Sequence, residues 1–158
     1  MDRDFGEFYS THFHGLTLQL NAYFGDMEHA QDVVQEAFVR AFDRWGKVSG
    51  YEDPHAWVRR VAWNLATSHW RRRRIAIAHA LTQREPVVQG PEPDRVALVT
   101  ALAGLPENQR RAMILFYLAD IPIAEIALEE RVPVGTVKSW LSRGRSALSA
   151  QLSMGEQR

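Results

Sequence analysis

The sequence predicts an all-α protein of two small helical domains joined by a flexible linker, the second containing a helix-turn-helix. Three observations carry this. Apolar residues recur at helical spacing along nearly the whole chain, and no segment alternates with period two long enough for a strand. The stretch EPVVQGPEPD at 85–94 holds three prolines and a glycine without apolar periodicity, which suits a linker better than a packed element. Near the end, IPIAEIALEERVPVGTVKSWLSRGRSAL reads as a short helix, a tight turn and a second amphipathic helix.

Each element has its own signals. A first helix is expected from about Asp4 to Phe24, with Phe5, Phe8, Tyr9, Phe13, Leu16 and Leu20 on one side and Gly25 as a left-handed stop. Asp26 caps the next, Met27 to Trp45, which places Val34, Phe38, Ala41 and Trp45 inward; Asp32, Gln35, Glu36, Val39 and Asp43 lie opposite, and Gly46 ends it. Asp53 followed by Pro54 announces a third helix through the four consecutive arginines. After the linker, helices are expected at Arg95 to Ala103, Pro106 to Ala119, Pro122 to Glu130 and Val134 to Leu152. The domains are accordingly 1–80 and 96–152, with a linker at 81–95 and a tail at 153–158.

Composition narrows the function. Cysteine is absent, so neither disulfides nor thiolate metal sites exist, and the cytoplasm is the expected compartment. No leader-like segment opens the chain and no apolar run reaches bilayer length, so membrane insertion is not expected. The six histidines are scattered, and no carboxylate pair or histidine–carboxylate cluster stands at ligand or catalytic spacing. No enzyme activity, catalytic residue, metal or cofactor is expected.

Charge is the informative quantity. The chain carries nineteen acids and nineteen bases, yet Met1 to Asp53 holds ten acids against four bases, whereas Pro54 to Arg84 holds seven arginines and no acid. Such sorting suits one surface meeting protein and another meeting phosphate. In HAWVRRVAWNLATSHWRRRR, three tryptophans alternate with six arginines. With Val58, Val61, Ala62 and Leu65 inward, Trp57, Arg60, Asn64, Ser68 and Arg71 share a face. Aromatics that stack on bases beside cations that follow a backbone equip a single-strand binder; Trp57 and Trp63 also suit the core, whereas Trp70 is hard to bury. In the last helix, Val137, Leu141 and Leu148 point inward and Thr136, Ser139, Ser142, Arg143 and Ser146 outward. Small and cationic side chains allow close approach to a major groove. A solvated face on an ordinary helical hairpin is the plainer alternative.

Taken in order, GDMEHAQDVVQEAFVRAFDRW, HAWVRRVAWNLATSHWRRRR, LPENQRRAMILFYL and VPVGTVKSWLSRGRSAL resemble the bacterial RNA polymerase sigma factors of the extracytoplasmic-function (ECF) group, in the sigma-70 family. The resemblance implies a factor that binds core RNA polymerase, recognises −10 and −35 promoter elements and helps open the duplex. It implies that Asp32, Gln35, Glu36, Val39 and Arg40 meet the clamp helices of the largest polymerase subunit. The loop Gly50 to His55, with Trp57, Arg60, Asn64, Ser68, Trp70, Arg71 and Arg72, would meet the opened −10 strand, Asn64 helping to hold a flipped base. Thr136, Lys138, Ser139, Arg143 and Arg145 would read the −35 duplex. An anti-sigma factor is a further partner found among relatives.

The sequence also departs from the family. Arg131 stands where the turn usually has glycine, Glu130 where an apolar residue is common, Trp140 where arginine is frequent, and Pro122 and Pro133 where a capping serine is frequent. The rival reading is a helix-turn-helix regulator that acts without being a polymerase subunit. A receiver domain would require alternating strands and helices, a nuclease would require a ligand cluster, and the acid-free arginine block disfavours a purely protein-binding adaptor.

Overall fold

In the computed structural model, the described backbone covers residues 2–80 and 93–156, and the described side chains cover 4–68 and 95–153. Among these residues all regular structure is helical: α1 (Asp2–Phe24), α2 (Met27–Asp43), α3 (Trp45–Val48), α4 (Pro54–Ala80), α5 (Pro93–Ala103), α6 (Glu107–Tyr117), α7 (Ile123–Glu130) and α8 (Val134–Glu156). Two compact units result, Met1–Leu20 with Asp26–Gln89, and Asn21–Gly25 with Gly90–Arg158. No helix among the described residues is long and apolar enough to cross a membrane.

The first unit is built around Phe38 of α2. Phe5, Phe8, Tyr9 and Phe13 of α1 surround its ring at centroid distances of 5.1 to 6.5 Å. These residues recur every three or four positions, so a single α1 face supplies the whole cage. Beneath it, Ala30, Val33, Val34, Ala37 and Ala41 let α2 pack closely on α4, whose Val58, Ala62, Trp63 and Ala66 are buried. The buried Trp63 indole donates to Gln19 Oε1 at 3.2 Å, which satisfies two polar groups that the core would otherwise penalise.

Both expected aspartate caps are present. Asp26 Oδ1 accepts from the His29 amide at 3.2 Å and Asp53 Oδ1 from the Ala56 amide at 3.1 Å. Gly25 has φ +72°, the left-handed stop that a β-carbon disfavours. One expectation fails: α2 does not run on to Trp45. It ends at Asp43, where the Arg44 amide bonds back to Ala41 O, and a separate short α3 follows. After this break Trp45 and Val48 are buried, Trp45 meeting Phe5 and Phe8 at 5.3 and 5.0 Å. Gly46 lies inside α3 and terminates nothing.

In the second unit α6 and α7 pack on α8, burying Ala112, Met113, Ile114, Leu115, Ile126, Ala127, Val137 and Leu141. Leu148 is only half-buried. Helix α5 begins at Pro93, inside the expected linker, because proline tolerates a first helical position; the rest of that linker, 81–92, lies outside the described residues. At its other end the unit keeps α8 helical through Glu156, past the expected stop at Leu152. Arg110 is buried although charged, since its guanidinium donates to the carbonyls of Tyr23, Ala103 and Leu105 at 3.0 to 3.3 Å.

Candidate functional site

Three surfaces gather the residues singled out by the sequence. On the outer face of α2, Asp32, Gln35, Val39 and Arg40 are exposed and Glu36 is half-buried. Arg40 donates to Glu36 Oε1 at 3.2 Å, one helical turn away, which holds two of the five side chains in register. Sequence reading missed Phe42. It is 53% exposed beside Val39 at 54%, and its ring rests on Phe5 at 5.1 Å. An aromatic held from behind and open in front has the geometry that suits an anchor for a protein partner. The three-residue step from Val39 was the available signal.

On α4, Arg60, Asn64 and Ser68 are exposed along one strip, with Trp57 half-buried at its head. Tyr51, from the preceding turn, places its ring 6.4 Å from Trp57 at 52°, extending the aromatic end of the strip. Arg60 Nε donates to Ala56 O at 3.3 Å, which lays the guanidinium stem along the helix. Arg59 does not join this surface. It is buried on the same side as Ala62 and Ala66, so it belongs to the scaffold. The side chains of Trp70, Arg71 and Arg72 lie outside the described residues, although their backbone continues α4.

Beside the start of α4, His55 stacks on His12 of α1, with centroids 4.1 Å apart and planes at 16°. Burial lowers the pKa of both rings. For His55, where the neighbouring His12 and Arg59 add to burial and Asp53 opposes it, the value falls to about 4.

On α8, Val137, Leu141 and Gly144 face the α6–α7 layer. A β-carbon at Gly144 would lie 2.8 Å from Met113 Cγ, so glycine is what lets the two helices approach there. Lys138, Ser142, Arg143, Arg145 and Ser146 are exposed; Thr136, Ser139 and Trp140 are half-buried. The structure does not place all five expected contacts on one flank. Residues 143 and 145 are two positions apart, about 200° around a helix. Arg145 accordingly turns away from Arg143, donates to the Tyr117 hydroxyl at 3.2 Å and joins Leu118, Leu148 and Leu152 around an apolar groove of about 510 Å³.

Two of the departures noted in the sequence are Glu130, the last residue of α7, and Arg131, in the turn after it. Arg131 has φ 57° and ψ 46°, and the Val132 amide bonds to Ala127 O in a left-handed helix stop normally given to glycine. A β-carbon there costs about 1–2 kcal/mol. Glu130 takes up its polar character by pairing with Arg111 of α6 at 2.7 Å, both side chains largely buried.

Comparison with known proteins is consistent across the chain. Residues 9–75 match Sigma-70 region 2 and residues 95–148 match Sigma-70, region 4. The ECF RNA polymerase sigma factor SigW of Bacillus subtilis is 29% identical, the alignment covering 81% of this chain and 78% of the relative. The ECF RNA polymerase sigma factor SigC of Mycobacterium tuberculosis is 30% identical, with 82% and 73% covered. Among solved structures, the sigma factor RpoE in complex with the anti-sigma factor NepR from Bartonella quintana shares the fold at a TM-score of 0.79 and 24% identity, covering 96% of this chain and 98% of that one.

Proposed function

The chain belongs to the extracytoplasmic-function sigma factors of the sigma-70 family, and we propose how its surfaces divide the work of initiation. As a sigma factor it directs promoter-specific transcription by core RNA polymerase. Asp32, Gln35, Glu36, Val39 and Arg40, with Phe42 as apolar anchor, dock on the clamp helices of the largest subunit. Trp57, Arg60, Asn64 and Ser68, continued by Trp70, Arg71 and Arg72, receive the opened −10 strand. Thr136, Ser139 and Arg143 meet the −35 duplex, with Lys138 and Arg145, seven positions apart and so on one flank of α8, at the margin of that face.

The observation that carries this reading is the pairing, in one chain, of an exposed aromatic–amide–cation strip on α4 with a small and cationic face on α8. One suits unpaired bases and the other suits a groove. A neutral protein gains little non-specific affinity from counterion release. Holding 1–80 and 96–152 on polymerase makes the second contact intramolecular and converts two weak contacts into a strong one. Extruding a base costs a few kcal/mol, which stacking near Trp57 and hydrogen bonding to Asn64 offset.

The chain itself needs no catalytic group, since bond making belongs to the polymerase. It works where polymerase works, in the cytoplasm, and an anti-sigma factor covering the same faces is a fitting means of control. A regulator acting apart from polymerase would leave the α2 face without a use. The test is run-off transcription from a pool of randomised promoters, with purified core polymerase. Specific transcripts should appear only with both components, and a chain that selects the same promoters without core polymerase refutes the proposal.

A further inference from the structure

We propose that the stacked His12 and His55 rings form a proton-operated latch between α1 and the start of α4, which acid opens to loosen the turn that presents the strand-reading face. The geometry is specific. The rings lie face to face, 4.1 Å between centroids and 16° from parallel. Phe8 backs His12 at 4.8 Å. His55 occupies the second position of α4, directly after Pro54, where the helix dipole disfavours a cation.

Two neutral imidazoles stack without penalty, whereas an imidazolium there meets burial, a ring partner that can also become charged, and the helix N-terminus together. The charged groups facing the pair are Asp53 from the preceding turn, which favours protonation of both rings, and Arg59 from the next turn of α4, which opposes it at His55. From α2 the buried residues are Ala30, Val33, Val34, Ala37, Phe38 and Ala41, all apolar.

A shared metal is the other use for two adjacent histidines, and the stack argues against it. Near-parallel rings direct their in-plane lone pairs side by side, so they cannot converge on one ion. Among the described residues there is also no group of three or more histidines, cysteines or carboxylates suited to a metal.

Asp53 connects the latch to the strand-reading surface. Its side chain accepts from the Ala56 amide at 3.1 Å and its carbonyl from the Trp57 amide at 3.4 Å. Opening the stack therefore releases the cap from which Trp57, Arg60 and Asn64 project. This last consequence rests on the strand-reading role proposed above.

The expected size follows from linkage. His55 titrates near 6.5 when released and near 4 when stacked, so lowering pH from 7.5 to 5.5 raises the opening constant about tenfold. In the full chain, amide exchange at Ala56 and Trp57, corrected for its intrinsic pH dependence, should accelerate about tenfold between those values. Exchange at Val137 and Leu141 should not follow it. Imidazole NMR of the wild type gives a variant-free check, with His12 and His55 midpoints below 6.5. Ordinary midpoints, or Ala56 and Trp57 exchange that does not change, overturn the latch.

The functional arm uses holoenzyme and a −10 strand carrying 2-aminopurine. Strand-opening signal, normalised to each protein's value at pH 7.5, should fall by up to about twofold in wild type relative to His12→Phe/His55→Phe at pH 5.5, the loss of closed fraction that a tenfold larger opening constant allows. Accelerated exchange with equal signals would leave the latch standing and refute the role of this turn in strand reading.

Discussion

Replacing Glu130 by alanine tests how the helix-turn-helix tolerates a buried ion pair. Arg111 Nε and Glu130 Oε1 approach to 2.7 Å, with the side chains 16% and 18% exposed, although the N–H is not aimed well along that line. At an effective dielectric near 20, unit charges 4 Å apart attract by about 4 kcal/mol. Desolvation of two ions costs several kcal/mol, so the pair as a whole contributes little. Removing one member is different, because the guanidinium keeps its burial and loses this carboxylate. Glu130→Ala should destabilise the second unit by about 2–4 kcal/mol, whereas Arg111→Leu/Glu130→Leu, which replaces both charges by apolar side chains, should stay within about 1 kcal/mol of wild type.

Because the protein has two units, a global melt would mix their transitions. Amide exchange at Val137 and Leu141 reports the unit directly, and 2–4 kcal/mol appears there as roughly 30- to 1,000-fold faster exchange. Binding to −35 duplex by holoenzyme should fall with Glu130→Ala and recover with the double leucine variant. If the double variant loses the sum of two single losses, the pair is not what couples α6 to α7, and the reasoning is wrong. The acid response gives a second check on sign. Burial raises the Glu130 carboxyl despite the opposing influence of Arg111. The folded unit therefore holds this proton more tightly than the unfolded chain, and its Glu130 contribution declines as pH rises through the upper carboxylate range. His55 acts oppositely: its lowered pKa costs the first unit stability as pH falls from about 6.5 toward 4.

Asn64→Ala should leave core-polymerase binding intact and reduce open-complex formation about tenfold, the worth of one good hydrogen bond; permanganate footprints of wild-type strength would exclude that role. Arg143→Ala should lower the salt slope of promoter binding by about one unit if it neutralises one phosphate. Arg145→Ala should leave that slope unchanged, because its guanidinium is turned toward Tyr117, and an equal drop for both variants would refute the difference in orientation. Phe42→Ala should weaken association with core polymerase by about 2 kcal/mol or more, as hot-spot aromatics do, and Asp32→Lys/Glu36→Lys should weaken it as well. Wild-type affinities in a pull-down would dismiss the α2 face.

Most of the helical framework was legible because its punctuation is local. Asp26, Asp53 and Gly25 each act within a few residues, and the arginine in the Arg131 turn could be identified as a departure before its backbone angles were known. The break at Arg44 was illegible, since Trp45 falls on the inward stripe of an unbroken helix as well as after the break, where it packs on Phe5 and Phe8 from the start of the chain. The burial of Arg59 and Arg110 was illegible for a related reason. Periodicity treats arginine as a surface residue, whereas Arg110 is drawn inward by carbonyls that need a donor. The opposed flanks of Arg143 and Arg145 were in principle countable from the helical period, but a cluster of cations invites the assumption that all point one way.

Gly144 has a consequence for anyone wishing to retarget the protein to new promoters. Transplanting only the recognition helix from a relative with a larger residue at this position would drive a methyl group into Met113. An overpacked contact of that kind costs about 1–3 kcal/mol, more than the roughly 1 kcal/mol of helix propensity gained on leaving glycine. The portable unit for swapping specificity is thus the recognition helix together with α6.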